Sequence, residues 1–318
     1  MQDSTTNLQE LLGIEHPVIV APMFLVSNTK MAIAAMQKSV AICIPALNYR
    51  TIPELKEAIL LLKNKKEEKG SFGINLIVNK SNLKFREQLN TCCELGVDFI
   101  ITSLGNPKDV IDMCKPLGIK VFCDVVNLEQ GQKVTAMGCD ALIAVNDRAG
   151  GHRGDMSPED LIVQLSHYCK IPVISAGGVG SREEMEEMIS YGAAGVSIGS
   201  PFIASEESSV SNAYKEACVV YGAKDIVMTQ KISGTPCTVI NTPYVQKIGT
   251  QQTWLESVLN RNKRLKKWVK LLRFLKGSSD VANAATKATY KTVWVAGPSI
   301  EHTRKIEPLT AILDRFIS

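Results

Sequence analysis

Four phrases in this chain share one grammar: ELGVDFI (94–100), PLGIKVF (116–122), AMGCDALI (136–143) and SYGAAGVSI (190–198). Each passes from helix-compatible residues through a glycine into a short apolar stretch. That order is expected where a left-handed glycine caps a helix just before the chain re-enters a sheet. A unit of this kind, repeated, demands parallel strands joined by helical crossovers, which leaves few folds open.

Eight apolar runs fit the repeat: 17–23, 41–47, 73–78, 98–103, 120–125, 140–145, 172–178 and 195–200. Each is too short for a helix and apolar almost throughout, as strands covered on both faces must be. Helix starts lie between them, with Thr51 and Ser181 each three residues ahead of a glutamate, Glu54 and Glu184, in the spacing of a capping box. The reading is an α/β chain folded as an eight-stranded (β/α)8 TIM barrel. A doubly wound open sheet would place a glycine-rich turn after its first strand, and APMFLVSN (21–28) has none.

In such a barrel the chemistry sits at the C-terminal strand ends. The residues there are Pro22 and Met23, Asn48, Asn75 to Asn79, Ser103, Asp124, Asn146 to His152, Gly177 and Gly178, and Gly199 and Ser200. Two groups stand out. In DALIAVNDRAGGHRG (140–154) a strand delivers His152 into a loop whose paired glycines let main chain come close to a ligand. A histidine in such a loop also often only caps a turn. The loops after strands seven and eight carry Gly177, Gly178 and Gly180 before a helix capped by Ser181, and then Gly199 and Ser200. Bare amides and a helix N-terminus at these two strands are the usual phosphate site of the fold, and the phosphate is expected to belong to a cofactor.

AGGHRG (149–154), the stretch 172–202 and PVIVAPM (17–23) resemble the nitronate monooxygenase family, formerly called 2-nitropropane dioxygenases, which includes the flavin-dependent enoyl-acyl-carrier-protein reductase II. The likeness covers roughly residues 8–235 and a returning segment, TVWVAGPS (292–299). It implies one FMN, with its phosphate on Gly177, Gly178, Gly199 and Ser200. It also implies ring contacts from Ala21, Pro22, Met23 and Asn75, Gly151 beside the cofactor and His152 near the substrate. Asp124, at the end of the fifth strand, joins the expected cofactor-binding set. Asn75 would offer a donor to the pyrimidine edge of the flavin, where charge collects on reduction.

The substrate side departs from the family pattern. Asp147-Arg148 stands where many relatives have a glutamate, Ser233-Gly234-Thr235-Pro236 lacks an arginine, and Ala296-Gly297-Pro298 replaces an AGQ-like phrase. Activity is therefore expected to be FMN-dependent oxidoreduction, with nitronate oxidation by dioxygen ahead of NAD(P)H-dependent enoyl-thioester reduction. A flavin-binding protein with little catalysis and a partner-recruiting helix is a third reading. A purine-nucleotide enzyme on a related flavin barrel would need a cysteine in a glycine-rich loop, which is missing.

After Phe202 the strand-helix rhythm stops. The expected division is an FMN-binding barrel from 1–203 and 290–318, with 204–289 as a mainly helical lid. The lid contains RNKRLKKWVKLLRFLK (261–276), eight of whose residues are basic, and Leu265, Trp268, Val269, Leu272 and Leu275 would share one face. This is foremost the covered side of a surface helix, with an acidic acyl carrier protein or an anionic membrane surface as the other readings.

A net charge of +4 is too small to argue for nucleic acid, and with no groove-reading motif none is expected as a partner. Nine cysteines, odd in number and several within strand-like runs, fit reduced thiols, and none has zinc spacing. With no leader-like N-terminus and no membrane-length apolar run, the expected location is the cytoplasm. The expected substrate is a small molecule, and the oligomeric state is left open, a homodimer included. His16, His167 and His302 are assigned no role.

Overall fold

The computed structural model describes residues 7–230, 236–251 and 293–318. Eight parallel strands form a closed barrel in sequence order: β1 (Val18–Val20), β2 (Ala41–Pro45), β3 (Ser71–Ile77), β4 (Phe99–Ser103), β5 (Lys120–Val125), β6 (Ala141–Val145), β7 (Val173–Ala176) and β8 (Gly195–Ile198). β1 closes on β8 through Val18↔Val196 and Val20↔Ile198. The (β/α)8 TIM-barrel reading is correct. The strands stop earlier than several of the apolar runs, and the residues released at the C-terminal ends, such as Ala21–Met23 and Gly177–Gly178, turn away to line the mouth.

The helices of the ring are α2 (Thr29–Met36), α3 (Ile52–Asn64), α4 (Phe85–Leu95), α5 (Lys108–Cys114), α6 (Leu128–Ala136), α7 (Pro158–Cys169) and α8 (Arg182–Ser190). The cap signals largely hold. Ser181 and Glu184 form both halves of the capping box, and Gly96, Gly118, Gly138 and Gly192 all take positive φ. At Thr51 only half a box forms, because Glu54 accepts from the backbone of Arg50 instead.

Alternation along each strand divides the core in two. Outward residues such as Ile42, Ile44 and Val196 pack under the helices, while Ile19, Cys43, Phe99, Ile101, Phe122, Ile143 and Ile174 fill the barrel. The rings of Phe99 and Phe122 stack there at 5.3 Å. A short helix before β1, α1 (Leu8–Leu12), plugs the N-terminal end: Leu8 is fully buried in the interior cluster.

Beyond β8 come a 3₁₀ turn at Ser200–Ala204, α9 (Asn212–Val220), an antiparallel hairpin of β9 (Ile226–Thr229) and β10 (Cys237–Ile240), and α10 (Pro243–Ile248). The hairpin adds two strands that the sequence did not signal, since four residues are too few to show a period. The chain returns at Val293, bridges Val295 to Val239 of β10, and ends in α11 (Leu309–Ile317), whose Phe316 meets Phe202 at 6.1 Å. The basic segment 261–276 lies outside the described residues, as do Ser233, Gly234 and Thr235. Among the described residues, no helix is long and apolar enough to cross a membrane, and all nine cysteines are free thiols.

Candidate active site

The mouth of the barrel has two chemically distinct halves. One is an amide cradle at β7 and β8. Gly177 (φ +120°) and Gly178 (φ +76°) turn sharply off β7. A side chain at Gly177 would put Cβ 2.4 Å from Asn146 Oδ1 and 2.5 Å from the Ala149 nitrogen. Asn146, buried at the end of β6, closes the turn by donating to the Gly177 carbonyl at 3.0 Å while accepting from the Arg148 amide at 2.9 Å. Ser200 opens the 3₁₀ turn after β8. Its Oγ accepts from the Gly297 amide at 2.8 Å, so its own hydroxyl hydrogen is left to donate. Among the described residues, none accepts from the backbone N–H groups of Gly178, Gly199 or Ser200. These donors, close to the N-terminus of α8, are what a phosphate requires.

The other half is polar through side chains. Asn75, Ser103 and Asp124 point into the barrel from the ends of β3, β4 and β5. Asn75 Nδ2 donates to the Ile101 carbonyl at 3.1 Å and to Ser103 Oγ at 2.8 Å, and Ser103 donates in turn to Asp124 Oδ2. Burial pushes Asp124 up to about 6, offset in part by that hydroxyl. Both amide hydrogens of Asn75 are thus taken by the barrel itself. The donor expected of it toward a flavin is not available, and its carbonyl oxygen is the atom that remains.

Ala21, Pro22 and Met23 bridge the halves. Ala21 donates to the Ile198 carbonyl at 2.8 Å, and the turn is braced by Ser27, whose hydroxyl accepts from Met23 at 3.0 Å and donates to Ala21 at 2.8 Å. Asn48 ties the same turn down, accepting from Leu25 and donating to Ser27, both at 2.8 Å. The Met23 side chain reaches across to Gly199, with Sδ 3.4 Å from where a Cβ there would lie.

His152 stands exposed on the rim between β6 and α7. Its loop is shaped by backbone contacts: Gly154 and Ala149 both donate to the Asn146 carbonyl, at 3.2 and 3.3 Å. Arg153 donates to the carbonyls of Asp147 and Gly154 at 3.0 and 3.1 Å. The stem of Arg148 lies against Gly178 of the cradle. Two further holds come from far along the chain. Thr238 of β10 pairs with Gly151, and the backbones at Gly150 and Gly297 lie so close that a Cβ on Gly150 would sit 2.9 Å from the Gly297 nitrogen. Gly151 therefore spends its N–H on Thr238 rather than on a ligand.

The residues expected to bind the cofactor, and His152, lie at the C-terminal strand ends or in the loops that follow them: Gly177, Gly178, Gly199 and Ser200, the Ala21–Met23 turn, Asn75 with Asp124, and Gly151 with His152. Sequence reasoning missed Thr238 and the bracing Ser27, which carry no local signature, and placed Ser103 at a strand end without its link between Asn75 and Asp124. The arrangement suits FMN: bare amides for the phosphate, close-approaching backbone for the ring and polar side chains for its pyrimidine edge. Among the described residues, no cluster of His, Cys, Asp or Glu could hold a metal ion.

A barrel mouth with unaccepted amides on one side and a chain of polar side chains on the other suits a flavin-dependent TIM-barrel oxidoreductase. The chain matches the nitronate monooxygenase family over residues 5–318 and belongs to it. It is 30% identical over 246 residues to (3aS,4S,5R,7aS)-5-hydroxy-7a-methyl-1-oxo-octahydro-1H-indene-4-carboxyl-CoA dehydrogenase of Mycobacterium tuberculosis, covering 76% of this chain and 68% of that one. With the nitronate monooxygenase of Paraburkholderia phytofirmans it shares 32% over 135 residues, 40% of this chain and 37% of that one. The structure of FabK from Thermotoga maritima superposes with a TM-score of 0.83 at 26% identity, covering 98% of this chain and 94% of that one. The protein is a flavin oxidoreductase, and its cofactor is FMN.

Proposed function

We propose that the protein oxidises alkyl nitronates with dioxygen, with His152 as the group that handles the substrate's proton. The observation that carries this reading is the exposed His152, carried on the barrel rim by a loop fixed through the Asn146 carbonyl and through Thr238. FMN, when bound, supplies the electron-accepting centre. His152 orients the nitro group of a preformed nitronate, or takes the α-proton of a neutral nitroalkane. Asn75 borders the ring, with Asp124 behind it through Ser103, while Gly177, Gly178, Gly199 and Ser200 hold the phosphate. In this reading residues 1–203 and 290–318 are the FMN-binding barrel, and 204–289 is the substrate-side region that supports the His152 loop.

A second reading is oxidoreduction of an acyl thioester. It is favoured by the carboxyl-CoA substrate in the name of the Mycobacterium tuberculosis relative and by the likeness to FabK. It would add a pyridine nucleotide or a thioester carrier as reactant, with an acyl carrier protein as a candidate partner. Anaerobic mixing of the yellow protein with an alkyl nitronate and, separately, with NADH or NADPH decides between them. Bleaching by the nitronate alone supports the first reading; bleaching by the nucleotide alone overturns it.

A further inference from the structure

The hydrogen-bond chain at the ends of β3, β4 and β5 has a fixed polarity. A carboxylate only accepts, so the Ser103 hydrogen is committed to Asp124, and the Ser103 oxygen is left to accept from Asn75. The Ile101 carbonyl, which also only accepts, takes the other amide hydrogen of Asn75. Were the carboxamide turned over, its oxygen would face two acceptors with no hydrogen between them. One orientation is therefore enforced, and among the described residues no group donates to Asn75 Oδ1.

We propose that Ser103 and Asp124 are positioning residues for Asn75, fixing its carboxamide so that the barrel mouth receives an acceptor that takes the imide N–H of the flavin's pyrimidine ring. The proposal rests on FMN as the cofactor. An oxidised flavin edge carries one N–H between two carbonyls, so an acceptor is matched to that single donor, whereas an amide N–H2 in its place would oppose it. Asp124 is the remote member, acting through Ser103. With burial holding it at about 6, it is ionised at pH 8 and keeps the polarity of the chain. A carboxylate placed there only to touch the ring would need neither the Ser103 hydroxyl nor the alignment of Asn75 with β4.

The test uses apoprotein at pH 8, with FMN affinity read by fluorescence quenching and the ring N–H read by proton NMR of ¹⁵N-labelled FMN. In the native protein the imide N–H resonance is expected downfield and slow to exchange with water. Ser103→Ala and Asp124→Asn should shift it upfield, hasten its exchange and weaken FMN about fivefold to tenfold, the net worth of one hydrogen bond. Ser103→Thr, which keeps the hydroxyl, should restore both readings, so loss through misfolding is told apart from loss of orientation. Native resonance and affinity in Ser103→Ala and Asp124→Asn would overturn the proposal. So would tighter FMN binding in Asp124→Asn, which would mean that Asp124 merely repels the ring. If the native apoprotein bound no FMN at all, the cofactor assignment itself would fall.

Discussion

Thr238 and Gly151 hold each other twice. The Gly151 amide donates to the Thr238 hydroxyl at 2.8 Å, and the Thr238 amide donates to the Gly151 carbonyl at 2.8 Å, although β10 lies far from this loop in sequence. Both residues are buried, so removing the hydroxyl strands a buried N–H, at about 1–3 kcal/mol. Thr238→Val should lower the stability of the loop by that order and reduce turnover with FMN still bound, and Thr238→Ser should recover most of the rate. Steady-state kinetics beside flavin content measure this. Native turnover in the valine variant would show that the loop keeps its shape without this anchor.

The cradle predicts different sensitivities for its glycines. At Gly177 a methyl group meets backbone and Asn146 under 3.0 Å on a positive-φ turn, so Gly177→Ala should lower FMN affinity by at least about tenfold, roughly 1.4 kcal/mol. Gly199 has φ −118°, and its Cβ would make only ordinary contact with Met23. Gly199→Ala should therefore stay yellow, and a bulkier residue there should not. The ratio of flavin to protein absorbance after purification tests all three.

His152→Ala should retain FMN and lose about 10²–10⁴-fold in turnover of a neutral nitroalkane, the usual worth of a placed proton-transfer group. With preformed nitronate the loss should be smaller, since the carbon has already given up its proton. Equal rates for mutant and native protein on both substrates would make His152 a loop residue without a chemical role.

Asp124 sets a pH dependence of apoprotein stability. Its carboxyl holds a proton more tightly when folded, at about 6 against 3.8 in its ordinary state. Protonation thus favours the fold, and the contribution of Asp124 falls as pH rises from about 4 to about 6. The fall is at most about 3 kcal/mol, reduced by water at the mouth. Urea unfolding at pH 4.5 and 7.5 should show a steeper loss in the native protein than in Asp124→Asn. Parallel losses in the two would mean that the group titrates normally.

How much of this was readable beforehand depended on the range of each interaction. The barrel was legible because its signals are local: a glycine after each helix, as at Gly96 and Gly192, then four to six apolar residues. The cradle was legible for the same reason, since Gly177, Gly178 and the Ser181 cap lie within one turn of chain. The orientation of Asn75 was not, because Ile101 and Ser103 on the next strand decide it. Nor was the support of the His152 loop: Thr238 and Gly297 look like ordinary residues until the hairpin and the returning segment bring them to Gly150 and Gly151.

The near-contact of Gly150 with Gly297 has a consequence for biosynthesis. By the time Ile198 has left the ribosome all eight barrel strands exist and can close, yet the surface against which the His152 loop sets has not been made. The loop gains that surface only once the segment from Val293 has been made and has met Val239 and Gly150. A product released early, or clipped ahead of Val293, would keep the strands and the cradle that draw in the flavin while lacking the wall that shapes the chemistry beside it.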